Sequence, residues 1–212
     1  LIITKLSLGQ EYKIAYGDKR YMKYHYHCSH DNGYTLKKNL KNGAYKVYSK
    51  ENPDIILIQG QYRNQVKDGD WVIFNPYERS TEYQTFKNGE LTKEYGIDSL
   101  GRMTMDIVHG QDSIVSIYYG YYSADNFRYI DQYRQSKSDQ TTFSKSTYYY
   151  LNGQIKSIIN YINGDGHGKS FEYYENGKAK MEYENWNGKQ VGIWRWWNEN
   201  GELTKEEDFG HK

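Results

Sequence analysis

The C-terminal part of this chain repeats itself at a fixed interval of 24 residues. Three glycines keep this spacing: Gly153, Gly177 and Gly201. Three aromatic residues keep it as well: Tyr149, Tyr173 and Trp197. A period between about 20 and 50 residues is the signature of a repeat protein, in which each unit packs against its neighbours rather than around one central core.

Each repeat contains two turn signals. The pair Asn163-Gly164 recurs as Asn187-Gly188, and Asn-Gly favours a two-residue hairpin turn because both residues tolerate a positive φ. Between the turns, apolar and charged residues alternate. In the segment "KAKMEYE", Ala179, Met181 and Tyr183 fall on one face and the lysines and glutamates on the other. Each repeat is therefore predicted to be a β-hairpin.

The composition agrees with an open sheet. The chain has 25 Tyr, only 2 Pro and a mean hydropathy of −1.01, which is typical of strands that carry many half-exposed rings. We predict an all-β protein, an elongated single-layer antiparallel meander of about 24-residue β-hairpin repeats. Cross-strand aromatic ladders, such as Tyr149/Tyr173/Trp197, are expected to stabilise it, and glycines are expected to let rings lie flat over them.

The repeats are predicted to form one domain over residues 1–212. Its parts differ in regularity: degenerate hairpins over 1–45, repeats over 46–94, irregular hairpins with insertions over 95–147, and regular repeats over 148–212. In the second part, "YRNQVKDGDWVIF" aligns Asn64 with Asn163 and Trp71 with Trp194. Turns are expected at Asn32-Gly33 and Asn42-Gly43 in the first part.

The segment "YYENGKAKMEYENWNGKQVGIWRWW" resembles the bacterial variant of the MORN (membrane occupation and recognition nexus) repeat, roughly G-x-W-x-x-Y-Y-x-N-G-K-x-x. The resemblance covers residues 46–94 and 149–209, although Gln65 stands where a later repeat has Gly164. It implies a twisted sheet with an aromatic-lined groove. Many bacterial members are labelled antitoxin components, and eukaryotic members are linked to protein scaffolding and to phospholipid binding.

Tyrosine and tryptophan are frequent at the centres of protein interfaces. Six aromatic residues are therefore candidates for binding a partner protein: Trp71, Tyr173, Trp186, Trp194, Trp196 and Trp197. Alternation places Trp194 and Trp196 on one face and Trp197 on the other. Some of the six are expected to be ladder residues, whose loss lowers stability rather than affinity alone.

The charge is uneven along the chain. Residues 1–67 have 12 Lys/Arg and 5 Asp/Glu, a net +7, whereas the remainder has 16 and 22, a net −6. We predict a non-enzymatic protein-binding repeat protein, in its most specific form a bacterial immunity or antitoxin-like protein that neutralises a toxin with an acidic surface by direct contact. Unpaired sheet edges also allow a homodimer.

An envelope-associated structural or scaffold protein is an alternative function. The chain begins with Leu1 rather than Met, which is compatible with a trimmed signal peptide and an envelope location; otherwise we expect the bacterial cytoplasm. The sequence contains no run of 18 apolar residues, so it does not predict a membrane-spanning helix. It also contains no lipidation motif and no basic amphipathic helix that would support membrane binding. The near-neutral net charge argues against a nucleic-acid partner.

A metal-binding module is the third possibility. The segment "YHYHCSHDNG" contains four competent ligands: His25, His27, Cys28 and His30. An extended strand points the first two and the last two in opposite directions, which favours surface histidines over a metal site. Glu182 and Glu184 are interpreted as part of a solvated charged row. No catalytic motif is recognisable, and neither enzyme activity nor a cofactor is expected.

Overall fold

The computed structural model describes residues 10–25, 33–123 and 126–210, and the regular structure in them is entirely β. The chain divides into two compact units, Leu1–Gly101 and Arg102–Lys212. We refer to them as unit 1 and unit 2. The prediction of an all-β meander is confirmed within each unit, with one departure in unit 1 that is described below.

The described residues of unit 1 form eight strands: β1 (Glu11–Ala15), β2 (Met22–His25), β3 (Gly33–Leu36), β4 (Gly43–Tyr48), β5 (Ile56–Arg63), β6 (Val66–Asn75), β7 (Ser80–Lys87) and β8 (Glu90–Ile97). Six of them form a sheet in the order β1-β4-β5-β6-β7-β8. The other two, β2 and β3, pair with each other as a separate antiparallel hairpin.

In the part of unit 2 that the structure describes there are ten strands: β9 (Met103–His109), β10 (Ser113–Tyr121), β11 (Phe127–Ser136), β12 (Thr142–Tyr149), β13 (Ile155–Ile162), β14 (Asp165–Gly166), β15 (Gly168–Tyr173), β16 (Ala179–Trp186), β17 (Lys189–Trp197) and β18 (Leu203–Asp208). They follow one another in sequence order through the sheet, and the short β14 pairs with β13. Every pair is antiparallel.

Two kinds of turn alternate along the repeats, as the sequence predicted. The two-residue turns at Asn88-Gly89, Asn163-Gly164 and Asn187-Gly188 have positive φ at both residues. The turn at Asn64 keeps this conformation although its second residue is Gln65, which adopts a φ of 65°. A type I′ turn matches the twist of the flanking strands, and that match holds Gln65 in a conformation normally left to glycine.

The second kind of turn spans five residues and recurs at the 24-residue interval. It covers residues 150–154, 174–178 and 198–202, and in each copy the first backbone N–H donates to the last carbonyl, at 2.8, 2.9 and 3.0 Å. The fourth residue of each is a glycine with a φ between 80° and 86°. Its recurrence every 24 residues confirms the repeat in three dimensions.

The N-terminal strands depart from the predicted antiparallel meander. Strand β1 pairs with β4 in parallel, with Tyr12 opposite Tyr45, and Asn42-Gly43 leads into β4 instead of closing a hairpin. Two parallel neighbouring strands must be joined by a long crossover connection. The connection between β1 and β4 is long enough for this, because it contains the β2–β3 hairpin. The single sheet in meander order is confirmed, and in this part of unit 1 the β2–β3 hairpin stands outside it as an addition.

The hairpin covers one face of the unit 1 sheet and encloses a small core. Buried residues from both layers meet in it: Ile14, Met22, Tyr45, Val47, Tyr62 and Trp71. The Tyr62 hydroxyl donates to the Lys37 carbonyl, 2.9 Å away, in the chain that follows the hairpin. Trp71 is completely buried, and its ring lies on Gly60, where an added Cβ would come within 2.1 Å of the indole.

Unit 2 buries much less. Among its described apolar residues only Ile107, Val191 and Trp194 are buried. Three serines are buried as well: Ser146, Ser157 and Ser170. The Tyr129 ring lies on Gly120, at 2.2 Å from the position of an added Cβ, which confirms that glycines make room for rings. Stability here must come mainly from contacts between neighbouring strands.

Candidate functional site

The strand register of unit 2 assigns its side chains to two faces. Residues directly opposite each other on paired strands share a face, and the face alternates along each strand. One face, which we call the tyrosine face, carries six tyrosines on five strands: Tyr118, Tyr129, Tyr133, Tyr148, Tyr161 and Tyr183. We call the other side the groove face.

The centre of the tyrosine face is open. Tyr118, Tyr133 and Tyr148 are 38%, 36% and 37% exposed. The rings of Tyr118 and Tyr133 meet edge to face at 5.8 Å, and the rings of Tyr129 and Tyr148 lie 6.4 Å apart. These tyrosines form two pairs of neighbouring rings on one face, and a tyrosine ring can pack against a partner while its hydroxyl makes a hydrogen bond.

Asp131 places a carboxylate within this surface, on the strand β11 between Tyr129 and Tyr133. It lies opposite Tyr118 on one side and Ser146 on the other. Its Oδ1 is buried and has no hydrogen-bond partner. Burial, and next the Asp131 charge, raise the pKa of the Tyr133 hydroxyl above its ordinary value.

The tyrosine face continues towards the C-terminus with larger rings. Trp194 packs against Tyr183 at 5.1 Å, Phe209 at 4.9 Å and Trp196 at 6.0 Å. The Trp194 indole donates to the carbonyls of Glu184 and Val191, at 3.0 and 3.2 Å. Lys205 places its ammonium 4.5 Å from the Trp196 ring centre. This end of the face is held by internal contacts and is less open than its centre.

The groove face contains a shallow depression of about 530 Å³. Two cross-strand rows of side chains line it. The first row is Val115, Arg134, Phe143 and Ile162, and the second includes Gln132, Lys145 and Asn160. His167 also lines it, with its ring centre 4.2 Å from that of Trp186 and its Nδ1 3.0 Å from the Asn187 side-chain oxygen.

A family model described as the MORN repeat variant matches residues 145–163, 166–185 and 190–210. Residues 145–210 are three MORN repeats. The match confirms the resemblance seen in the C-terminal sequence. MORN repeats are in general non-catalytic modules that bind proteins or membranes. No curated protein matches the chain.

The six predicted partner-binding residues of the MORN-repeat protein occupy different environments. Trp71 is completely buried and Trp194 is 8% exposed, so both support the sheet from within. Trp186 is 40% exposed and borders the groove. Tyr173, Trp196 and Trp197 are half-buried. Trp194 and Trp196 share the tyrosine face, as their alternation predicted.

The predicted ladder Tyr149/Tyr173/Trp197 is not formed by neighbouring strands. Its residues belong to β12, β15 and β17, and one strand separates each from the next, which places them about 10 Å apart. The hydroxyls of the following tyrosines make the connection instead. Tyr150 donates to the Tyr173 carbonyl at 2.8 Å, and Tyr174 donates to the Trp197 carbonyl at 2.7 Å.

The structure brings no metal-binding group together in the part of the chain that it describes. His25 ends β2 and pairs in register with Gly33. His27, Cys28 and His30 lie outside the described residues, and so does most of the predicted metal site. Within residues 10–25, 33–123 and 126–210, no helix has the length and apolar character needed to cross a bilayer.

Sequence reasoning missed the open centre of the tyrosine face and the groove, because both lie largely in residues 95–147, which lack the repeat signals. A period-two signal is nevertheless present there. In "FRYIDQYR", Phe127, Tyr129, Asp131 and Tyr133 alternate with the residues of the other face. That pattern, followed without the repeat as a guide, would have found the tyrosine face.

Proposed function

We propose that this MORN-repeat protein is non-enzymatic and binds a partner protein through the tyrosine face of unit 2. The observation that carries the proposal is the exposure of Tyr118, Tyr133 and Tyr148, each more than one-third accessible at the centre of one aromatic surface. Tyrosine contributes large contact area at a low entropy cost, and it is enriched at the centres of protein interfaces.

In unit 1, the sheet face that corresponds to the tyrosine face of unit 2 is covered. Trp71 and Trp194 occupy equivalent repeat positions, seven residues after Asn64 and Asn187, so the two faces correspond. In unit 1 the chain's own β2–β3 hairpin covers this face, with Met22 fully buried against it. No described segment of unit 2 has that role for its tyrosine face. A partner with an exposed hairpin or strand of aromatic and aliphatic residues would fit there.

In its more specific form, the proposal is that the partner is a bacterial toxin and that this protein is its immunity protein or antitoxin. The bacterial MORN-variant resemblance supports this form. The net charge of +7 over residues 1–67 supports a toxin with an acidic surface, because opposite charges speed association.

The test is co-expression with the product of the neighbouring gene, followed by titration calorimetry of the purified proteins. We expect a 1:1 complex with a low-micromolar or lower Kd. Replacing Tyr118, Tyr133 and Tyr148 together by serine should weaken it by at least about tenfold, since each ring is a candidate hot spot. Sedimentation of the free protein would show whether the same surface instead forms a homodimer.

Tyr77→Ser is the matched control. Tyr77 is 91% exposed in a turn of unit 1, and its loss should leave the affinity unchanged. If the folded triple variant bound the partner as tightly as the unmodified protein, the tyrosine face would not be the binding surface. Absence of any complex with that gene product would contradict the toxin form of the proposal.

A further inference from the structure

We propose that the groove on the groove face of unit 2 binds an extended acidic peptide segment that carries a hydrophobic side chain. The groove lies on the other side of the sheet from the tyrosine face, so this inference does not rest on the proposed function. It rests on three features of the lining residues: unpaired positive charge, an exposed aromatic ring, and amide side chains beside them.

The positive charge comes from Arg134 and Lys145, on the neighbouring strands β11 and β12. Arg134 pairs in register with Phe143, and Lys145 with Gln132, so the two cations are diagonal neighbours on one face. The groove lining contains no carboxylate. Within the described part of unit 2, neither cation makes an ion pair.

Several cations nearer the C-terminus are in ion pairs. Four ion pairs lie beyond β13: Lys169–Glu182 at 3.2 Å, Lys180–Glu172 at 3.1 Å, Arg195–Glu206 at 2.8 Å, and Lys205–Glu207. The groove therefore differs in charge from that end of the sheet. Two like charges that close together repel each other, and an incoming carboxylate relieves that repulsion and gains charge-assisted hydrogen bonds. Carboxylates of a partner are the ligand that this arrangement favours.

The apolar part of the groove fixes a second property of the ligand. Val115, Phe143 and Ile162 lie in the same cross-strand row as Arg134. Phe143 is 51% exposed, so a large part of its ring is in contact with water. A hydrophobic side chain next to the carboxylate would cover that ring and remove apolar area from water, at about 25 cal/mol per Å².

The second row favours a peptide backbone over other anionic ligands. Gln132 and Asn160 flank Lys145, and Asn160 is held in place because its Nδ2 donates to the Lys169 carbonyl. Amide side chains can hydrogen-bond the N–H and C=O groups of an extended chain. A single-stranded nucleic acid would need a longer row of cations along its backbone, whereas the groove offers two cations beside the rings of Phe143 and His167.

The experiment uses the whole chain and a fluorescein-labelled peptide of sequence Glu-Phe-Glu-Ser-Glu-Phe-Glu-Ser, with fluorescence anisotropy as the readout. We expect saturable binding that weakens as salt is added, because the contacts are electrostatic. The double variant Arg134→Ala/Lys145→Ala should weaken it by at least about tenfold, and Phe143→Ser should weaken it severalfold. The peptide with Gln in place of every Glu should not bind.

Two controls separate the groove from the rest of the molecule. Tyr118→Ser alters a residue of the tyrosine face that does not line the groove, and it should leave peptide binding unchanged. Arg134→Lys/Lys145→Arg keeps the charges and should retain most of the affinity. Conversely, Arg134→Ala/Lys145→Ala should not affect a complex that depends on Tyr118, Tyr133 and Tyr148, so the two proposals fail independently.

Several results would overturn the inference. The first is that the Arg134→Ala/Lys145→Ala variant binds the acidic peptide as tightly as the unmodified protein does. The second is that the unmodified protein does not bind this peptide at all. The third is preference for a different anion, seen as tighter binding to phosphatidylserine vesicles or to an oligouridylate RNA than to the peptide, with the same dependence on Arg134 and Lys145.

Discussion

Trp71 in unit 1 and Trp194 in unit 2 occupy the same position of the repeat, but their surroundings differ. Trp71 is completely buried on Gly60, and its indole Nε1 has no hydrogen-bond partner. Trp194 keeps 8% of its surface exposed, lies beside Tyr183 and donates two hydrogen bonds. Gly60 and Tyr183 are themselves equivalent in the repeat, so the two tryptophans face different residues on the neighbouring strand.

The wider contrast between the units follows the same logic. In unit 1 a glycine leaves space for the ring, and a hairpin closes over it to form a small two-layer core. In unit 2 tyrosines fill the face themselves and stay partly in water. One repeat thus gives a stabilising core in one place and an open aromatic surface in the other.

The largest expected difference between the units concerns these two tryptophans. Trp71→Ala should lower the free energy of unfolding by about 4 kcal/mol, because it leaves a large cavity under the hairpin. Trp194→Ala should cost about 2 kcal/mol, because its site opens to solvent and can relax. Urea denaturation followed by circular dichroism measures both. Equal losses would mean that unit 1 has no special core.

A smaller effect on stability tests whether the successive repeats of unit 2 are equivalent. Tyr150 and Tyr174 make the same hydroxyl-to-carbonyl bond in successive repeats, at 2.8 and 2.7 Å. Tyr150→Phe and Tyr174→Phe should each cost about 1 kcal/mol, the usual net value of such a bond. The same denaturation experiment applies. If the two losses differed by more than their errors, the two repeats would not be energetically equivalent.

The smallest expected effect is a gain. Asp131 has a buried carboxylate oxygen without a hydrogen-bond partner on the tyrosine face. Asp131→Asn removes the charge and so lowers the cost of burying this side chain without a partner, and stability should rise by up to about 1 kcal/mol. A lower thermal midpoint for the variant, measured by calorimetry at neutral pH, would show that the charge is satisfied in the native protein.

The repeat itself was predictable because Asn-Gly pairs and period-two alternation are local signals. Identical sequence segments can still adopt different structures. "NGELTKE" forms a two-residue turn at Asn88-Gly89, with β8 resuming at Glu90, but at Gly201 it belongs to a five-residue turn and β18 resumes at Leu203. In the second copy, the Asn198 side chain accepts hydrogen bonds from the backbone of that turn. In the first copy Phe86 occupies this position and pairs with Leu91 instead.

The covering hairpin and the open surfaces were not predictable in this way. The parallel pairing of β1 with β4 depends on contacts between residues far apart in sequence, such as Tyr12 and Tyr45 at 4.6 Å between ring centres. The groove forms because Arg134 and Lys145 lie on the same face as its apolar residues. This shared face follows from the register of four strands. Neither property is encoded in a single repeat.

Hydroxyl-radical footprinting of the free protein, read residue by residue with mass spectrometry, tests the contrast between the units most directly. Tyr118, Tyr133 and Tyr148 should be modified rapidly, and Tyr45 and Tyr62, which are 1% and 5% exposed, should be protected. Comparable modification rates for the two groups would contradict the account, because then either the unit 1 core is open or the tyrosine face of unit 2 is covered.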